Sequence, residues 1–357
     1  MRRPFIVLAA LSFLAGCAAG PSPFDAASGH AGRTQIAAAA GAAMPSPAQL
    51  LPDRLVAADG AELPLRIWAP AEPPRAVLVA LHGFNDYSNG FDFAGTELAR
   101  DGYAVYAYDQ RGFGRSIGRG YWPGSRLLAE DAATAVRLVR AKHPGVPVYL
   151  MGESMGGAVA MLAATGVLGT PRAEIDGVIL VAPAVWGRQT MNFFERAGLW
   201  IVRQMPGLPL SQRSLPITVR PSDNIPMLRA YSADPLVIKE TRSDTLNGLV
   251  DLMGEALTAA PLLEAPTLVL YGERDEIVPK GPVARMVEML PPGRRAGQRV
   301  AYYPKGYHML FRDLQGAVVV NDVAAWLDDS AAALPSGYDR NGRLALTGRS
   351  PAFAAAN

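Results

Sequence analysis

The sequence predicts an α/β domain: a mostly parallel central sheet flanked by helices, with a helical cap inserted between its later strands. Three observations point there. Apolar, β-prone runs alternate with segments of helical spacing through the middle of the chain. One run, Val148-Tyr149-Leu150-Met151, stops abruptly at Gly152-Glu153-Ser154-Met155-Gly156 and is followed by an alanine-rich helical stretch over 158–164. The alternation then breaks after Ala182-Pro183 and resumes only at Ala265-Pro266, an interval too long for an ordinary strand–helix connection.

The 357 residues are half hydrophobic and 18% charged, enough to bury a large core and inconsistent with general disorder. Residues 1–16 read as an export signal: Arg2-Arg3, an apolar run over 5–14, then small residues. That run is far shorter than the roughly 20 residues needed to span a bilayer. It closes on Leu14-Ala15-Gly16-Cys17, which resembles the bacterial lipoprotein lipobox, where the cysteine becomes the lipid-bearing first residue of the mature chain. The resemblance implies lipid attachment at Cys17 and residence in the bacterial cell envelope; Ala18 after the cysteine resembles outer-membrane sorting, on the periplasmic side. Cys17 is the only cysteine, so an intrachain disulfide is impossible. The formal charge of +2 falls to zero once Arg2 and Arg3 leave with the leader, which gives no phosphate-binding surface and argues against a nucleic-acid partner.

Residues 17–50 are rich in Ala, Gly, Pro and Ser and read as a flexible tether. The core is expected over 51–183 and 265–330. Strands are expected at 63–68, 76–81, 103–108, 148–151, 178–181 and 267–271, and 300–303 is strand-like; the central runs are almost continuously apolar, as strands covered on both faces require. Over 127–140, Leu128, Ala132, Ala135, Val136 and Val139 fall on one helical face, opposite Glu130, Arg137 and Arg140. The cap is expected over 184–264. Its Met191, Phe193, Phe194, Leu199, Trp200, Met205 and Leu208 suit either an acyl chain lying against the core or plain packing of cap helices. Residues 331–357 are expected to form a disordered tail, the break marked by Pro335-Ser336-Gly337.

Strand, sharp turn and helix around Gly-x-Ser-x-Gly lift a serine hydroxyl above the sheet edge, because the flanking glycines let the backbone turn without a Cβ clash. The competing reading is a glycine-rich turn with a capping serine. A serine nucleophile needs a base, an orienting acid and donors for an oxyanion. Of the four histidines, His30 lies in the tether, His143 at a helix end and His82 at the end of a strand. His308, in Lys305-Gly306-Tyr307-His308, follows a strand late in the chain and is the base expected from the order serine, acid, histidine. The acid should follow the strand at 267–271, where Asp275 is the best choice and Glu273 and Glu276 compete on spacing alone. The oxyanion donors are expected to be the backbone N–H groups of Met155, after the serine, and of Phe84, in Leu81-His82-Gly83-Phe84.

Together, His82-Gly83-Phe84, the run Asp109-Gln110-Arg111-Gly112-Phe113-Gly114-Arg115-Ser116, Gly152-Glu153-Ser154-Met155-Gly156, Gly272-Glu273-Arg274-Asp275-Glu276-Ile277-Val278-Pro279 and Gly306-Tyr307-His308 resemble the monoacylglycerol lipase and lysophospholipase-like (serine aminopeptidase-type) branch of the α/β-hydrolases, over residues 51 to 330. The resemblance implies the α/β-hydrolase fold and a triad of Ser154, Asp275 and His308, which decides among the three acids. It also places an oxyanion donor at Phe84 and gives Asp109 and Arg111 structural roles only. The expected activity is cleavage of lipid-like carboxylic esters, monoacylglycerol or lysophospholipid, through an acyl-enzyme. Such chemistry needs no metal or cofactor, and nothing in the sequence points to an obligate protein partner. Acyl transfer to another acceptor, amide cleavage on the same triad and a non-catalytic binding module are the rival readings. One departure stands out: where relatives often carry small residues and then His-Ser after His-Gly, this chain has Phe84-Asn85-Asp86-Tyr87-Ser88.

Overall fold

A computed structural model describes residues 47–211 and 219–348. The expected leader, Cys17 and nearly all of the tether lie outside the described residues. The main sheet has nine strands in the order β1 (Gln49–Leu50), β2 (Arg54–Val56), β3 (Glu62–Trp68), β5 (Tyr103–Tyr108), β4 (Ala76–Leu81), β6 (Val148–Glu153), β7 (Gly177–Val181), β10 (Thr267–Gly272) and β11 (Gln298–Tyr303). From β5 to β11 every neighbouring pair is parallel, while β1, β2 and β3 form an antiparallel edge. Every expected strand is present, and the helix expected over 127–140 lies within α2 (Ser125–Lys142).

Apolar runs in the central strands explain the layering. In β4 all six residues are buried; Val77, Val79 and Leu81 join one core, and Ala76, Leu78 and Ala80 the other, as the two-residue side-chain period demands. On one face α1 (Asp92–Arg100) and α8 (Gly316–Asp328) cover the sheet with Leu98, Val320, Val323 and Trp326. On the other lie α2, α3 (Met155–Thr165), α6 (Ser243–Ala259) and α7 (Lys280–Met289). Ten of the eleven α3 residues are buried, which is why this helix is small and apolar all round.

Three expectations need correction. The cap does not extend to residue 264: α6 buries Leu249, Val250, Leu252, Met253, Ala256 and Leu257 in the main core. The cap proper holds α4 (Phe193–Arg203), β8 (Pro209–Ser211), α5 (Ile225–Ala233) and β9 (Glu240–Arg242), with β8 and β9 paired antiparallel. The tether ends before residue 50, because Gln49 and Leu50 pair with Val56 and Leu55. Finally, residues 331–348 are not a disordered tail. Leu334 and Leu346 are only 3% and 1% exposed, and α9 (Gly342–Thr347) packs on α7 and β11. The Arg299 guanidinium binds Asp339 at 2.5 Å, and Ser336 donates to Asp322 at 2.6 Å. Composition misleads here because a few apolar anchors suffice to seat a segment on β11, the last strand of the sheet. Among the described residues no helix is long and apolar enough to cross a membrane.

Candidate active site

The parallel strands β4, β6, β10 and β11 release their chains at the same edge, so the segments after their C-terminal ends meet there. The turn after β6 is the sharpest. Ser154 has φ 55° and ψ −116°, a conformation rare for a residue with a Cβ, held by its N–H donating to the Val181 carbonyl at 2.9 Å and its carbonyl accepting from Gly157 and Ala184, both at 2.9 Å. Glycine is obligatory on both sides: a Cβ at Gly152 would stand 2.2 Å from the Gly156 oxygen, and one at Gly156 would stand 1.9 Å from the Leu81 oxygen. Serine as a mere helix cap is excluded, since its side chain makes no capping hydrogen bond to α3. Ser154 is thus held in a strained conformation at the C-terminal end of a central strand, with 9% of its surface exposed.

After β10, the turn brings Asp275 inward, while Glu273 and Glu276 stay exposed. Asp275 Oδ2 lies 2.8 Å from His308 Nδ1, and its Oδ1 accepts the N–H groups of Ile277 at 2.8 Å and Val278 at 2.9 Å. Both oxygens are thereby committed, and the carboxylate orients the imidazole with Nε2 facing away. Glu276 instead accepts the Arg220 amide from the cap. Burial pulls the His308 pKa down, but the Asp275 carboxylate, through charge and hydrogen bond, and the nearby Glu153 outweigh it and leave it above 6.5.

The loop after β4 lies against the serine: a Cβ at Gly83 would touch Ser154 Cβ at 3.4 Å. Gly83 to Asp86 form a turn closed by Asp86 N–H to Gly83 O at 3.3 Å, with Asn85 at φ 64°, a left-handed conformation that asparagine tolerates well. Phe84 packs its ring edge-on against Phe113, 5.6 Å between centroids. Among the described residues, no backbone carbonyl outside regular elements accepts the Phe84 or Met155 amide, and Met155 opens α3, where the first amides have no intrahelical partner.

The other histidines have different duties. Gln110 N–H donates to His82 Nε2 at 2.9 Å, so Nδ1 carries the proton and donates to Gly83 O at 2.8 Å; burial lowers its pKa. His143 ends α2 beside the Tyr106 hydroxyl, 2.8 Å from Nε2. His30 lies outside the described residues. Asp109 accepts the Ser88 and Arg115 amides, and Arg111 forks between Asp59 and the buried Asp131, both structural arrangements. Among the described residues no group of His, Cys, Asp or Glu could hold a metal ion.

Sequence reasoning missed the polar cluster beneath the site. Arg312 Nη2 lies 2.7 Å from Asp86 and 2.9 Å from Glu153, both carboxylates buried and the arginine side chain 10% exposed. No local pattern announces it, because Arg312 and Glu153 stand 159 residues apart. The cap also divides in a way that composition hides: Leu199 packs on the core, whereas Phe193, Phe194 and Trp200 on α4 are 77%, 67% and 64% exposed.

A mostly parallel sheet with a strained serine turn after one strand, and a later acid paired with a last histidine after two others, defines an α/β-hydrolase. The profile of the serine aminopeptidase S33 family matches residues 72–315, and the chain belongs to that family. A monoacylglycerol lipase of Mycolicibacterium smegmatis is 27% identical over 273 residues, spanning 75% of this chain and 93% of the relative. The monoglyceride lipase of Mus musculus is 26% identical, over 82% of this chain and 94% of that one. Among solved structures, the monoacylglycerol lipase of Paleococcus ferrophilus superposes with a TM-score of 0.60 at 26% identity, covering 75% of this chain and 99% of that one. A soluble variant of the Saccharomyces cerevisiae monoglyceride lipase, solved with a substrate analogue, gives 0.64 at 20% identity over 82% and 97% of the two chains, a likeness of fold.

Proposed function

We propose that this protein is a serine hydrolase that cleaves carboxylic esters of lipid-like substrates, monoacylglycerol or lysophospholipid, through an acyl-enzyme. The strained Ser154 turn and the buried Asp275–His308 pair, which follow C-terminal strand ends of the same parallel sheet, carry the reading. Its similarity to proteins named monoacylglycerol lipase supports the substrate class. His308 Nε2 takes the Ser154 proton as Oγ attacks the ester carbonyl, and Asp275 holds the tautomer and steadies the imidazolium. The Phe84 and Met155 N–H groups receive the oxyanion. As the tetrahedral intermediate collapses, His308 gives its proton to the departing alcohol. It then deprotonates a water that cleaves the acyl-enzyme, releasing the fatty acid and restoring Ser154.

The rival with an observation behind it is amide cleavage, since the family is described as serine aminopeptidase. A panel of aryl esters, monoacylglycerols, lysophospholipids and aminoacyl amides, run with wild type and Ser154→Ala, separates them. The reading expects ester turnover that Ser154→Ala abolishes; amide turnover with inert esters would overturn it.

Lipidation of Cys17 in the bacterial cell envelope, with the domain on the periplasmic side of the outer membrane, completes the proposal. A lipid-tethered domain would meet substrate at a bilayer surface, and the exposed apolar side chains of α4 suit that setting. Metabolic labelling with an alkyne fatty acid tests it: wild type should be labelled and Cys17→Ser should not.

A further inference from the structure

Beneath the serine, one guanidinium nitrogen joins the two segments that carry the oxyanion donors. Arg312 Nη2 contacts Asp86 at 2.7 Å, and Asp86 is the residue that closes the turn bearing Phe84. The same nitrogen contacts Glu153 at 2.9 Å, and Glu153 immediately precedes Ser154 and Met155. Both carboxylates are nearly solvent-free, with side chains 4% and 3% exposed, so they repel strongly unless a cation lies between them. The cap rests on the same residue. The Arg312 carbonyl accepts from Asn224 Nδ2 at 3.1 Å and from Ser222 Oγ at 3.4 Å, and the Tyr231 ring of α5 lies 5.4 Å from the guanidinium carbon. The far side of the turn is also held by the cap: Ile238 N–H donates to Asn85 O at 2.9 Å, Asn85 Nδ2 to Thr241 Oγ1 at 2.6 Å, and Tyr87 hydroxyl to Asp234 at 2.7 Å.

We infer that Arg312 is a positioning residue for the hydrolysis proposed above: by bridging Asp86 and Glu153 it fixes the spacing between the Phe84 and Met155 amides, and it ties that spacing to the seating of the cap. It touches no reacting atom and acts through the oxyanion turn. Its loss therefore lowers turnover more than substrate affinity. Because one nitrogen makes both contacts, a lysine ammonium can take over part of the role, which a neutral side chain cannot.

The inference rests on Ser154 being the nucleophile, so active sites are first titrated with a fluorophosphonate, and kcat is expressed per labelled serine. This removes any loss due only to a smaller folded fraction. For a soluble short-chain aryl ester, Arg312→Met should lower kcat about 10²-fold, the scale of roughly 1 Å misplacement, with KM changed less than about threefold. Arg312→Lys should recover about tenfold of that loss. Since Arg312 acts through Asp86, the double variant Asp86→Asn/Arg312→Met should lie within about twofold of the worse single variant. Should Arg312→Met fail to fold, Asp86→Asn/Glu153→Gln/Arg312→Met removes all three charges and should still be about 10²-fold slow. A kcat per labelled serine within about twofold of wild type, or losses that multiply in the double variant, overturns the inference. A wild-type Ser154 that resists the probe overturns the proposed function instead.

Discussion

Asp275 Oδ2 sits 2.8 Å from His308 Nδ1, with the aspartate side chain fully buried and the histidine side chain 6% exposed. That pair joins the turn after β10 to the turn after β11, and the two strands pair in parallel from Thr267–Gln298 to Gly272–Tyr303. Sheet register thus sets the geometry of the acid and base. Asp275→Asn keeps the shape but removes the charge and the tautomer preference. Its kcat should fall about 10⁴-fold with the fold intact, read by steady-state kinetics beside circular dichroism.

The pH profile follows from the same pair. His308 works as a base only when neutral, and its pKa lies above 6.5 because Asp275 and Glu153 together outweigh burial and the opposing Arg312 charge. kcat/KM should therefore fall as pH drops, with a midpoint above 6.5. Glu153 favours the protonated imidazole, so Glu153→Gln should move that midpoint downward. An unchanged or higher midpoint in pH–rate profiles contradicts the assignment of the limb to His308.

The C-terminal segment should carry real stability. Leu346 is 1% exposed among α7, α9 and β11. Leu346→Ala should cost about 2–4 kcal/mol in denaturant unfolding, whereas an unstructured tail would cost nothing measurable.

Legibility in the sequence tracked how local each signal was. Ser154 was readable because strand, glycines and helix are contiguous, and the strands because both their faces are buried. Asp275 was not separable from Glu273 and Glu276 by spacing, since all three share one turn. Backbone direction turns Asp275 toward His308; the sequence makes it the best choice of the three, and the family resemblance decides. Arg312 was invisible because its partners come from distant turns. The α6 helix was absorbed into the cap because a proline-rich insertion precedes it, although its apolar spacing belongs to the core. The segment at 331–348 has the composition of a tail, yet its few apolar residues, Leu334 and Leu346 among them, matter through where the sheet places them.

The outward face of α4 gives a prediction of opposite kind. Phe193, Phe194 and Trp200 are largely exposed, so replacing all three with serine should change stability by less than about 0.5 kcal/mol per site. Turnover of a soluble ester should be unchanged. Turnover of monoacylglycerol presented in vesicles should drop, measured as fatty-acid release at fixed total lipid.

The identity of the nucleophile is tested most directly by trapping its covalent intermediate. Wild-type protein mixed briefly with an activated long-chain ester and quenched in acid should gain one acyl group, mapped by peptide mass spectrometry to Ser154. Ser154→Ala should gain none and lose about 10⁴-fold or more in kcat. An acyl group on another residue, or steady hydrolysis by Ser154→Ala, would contradict the account.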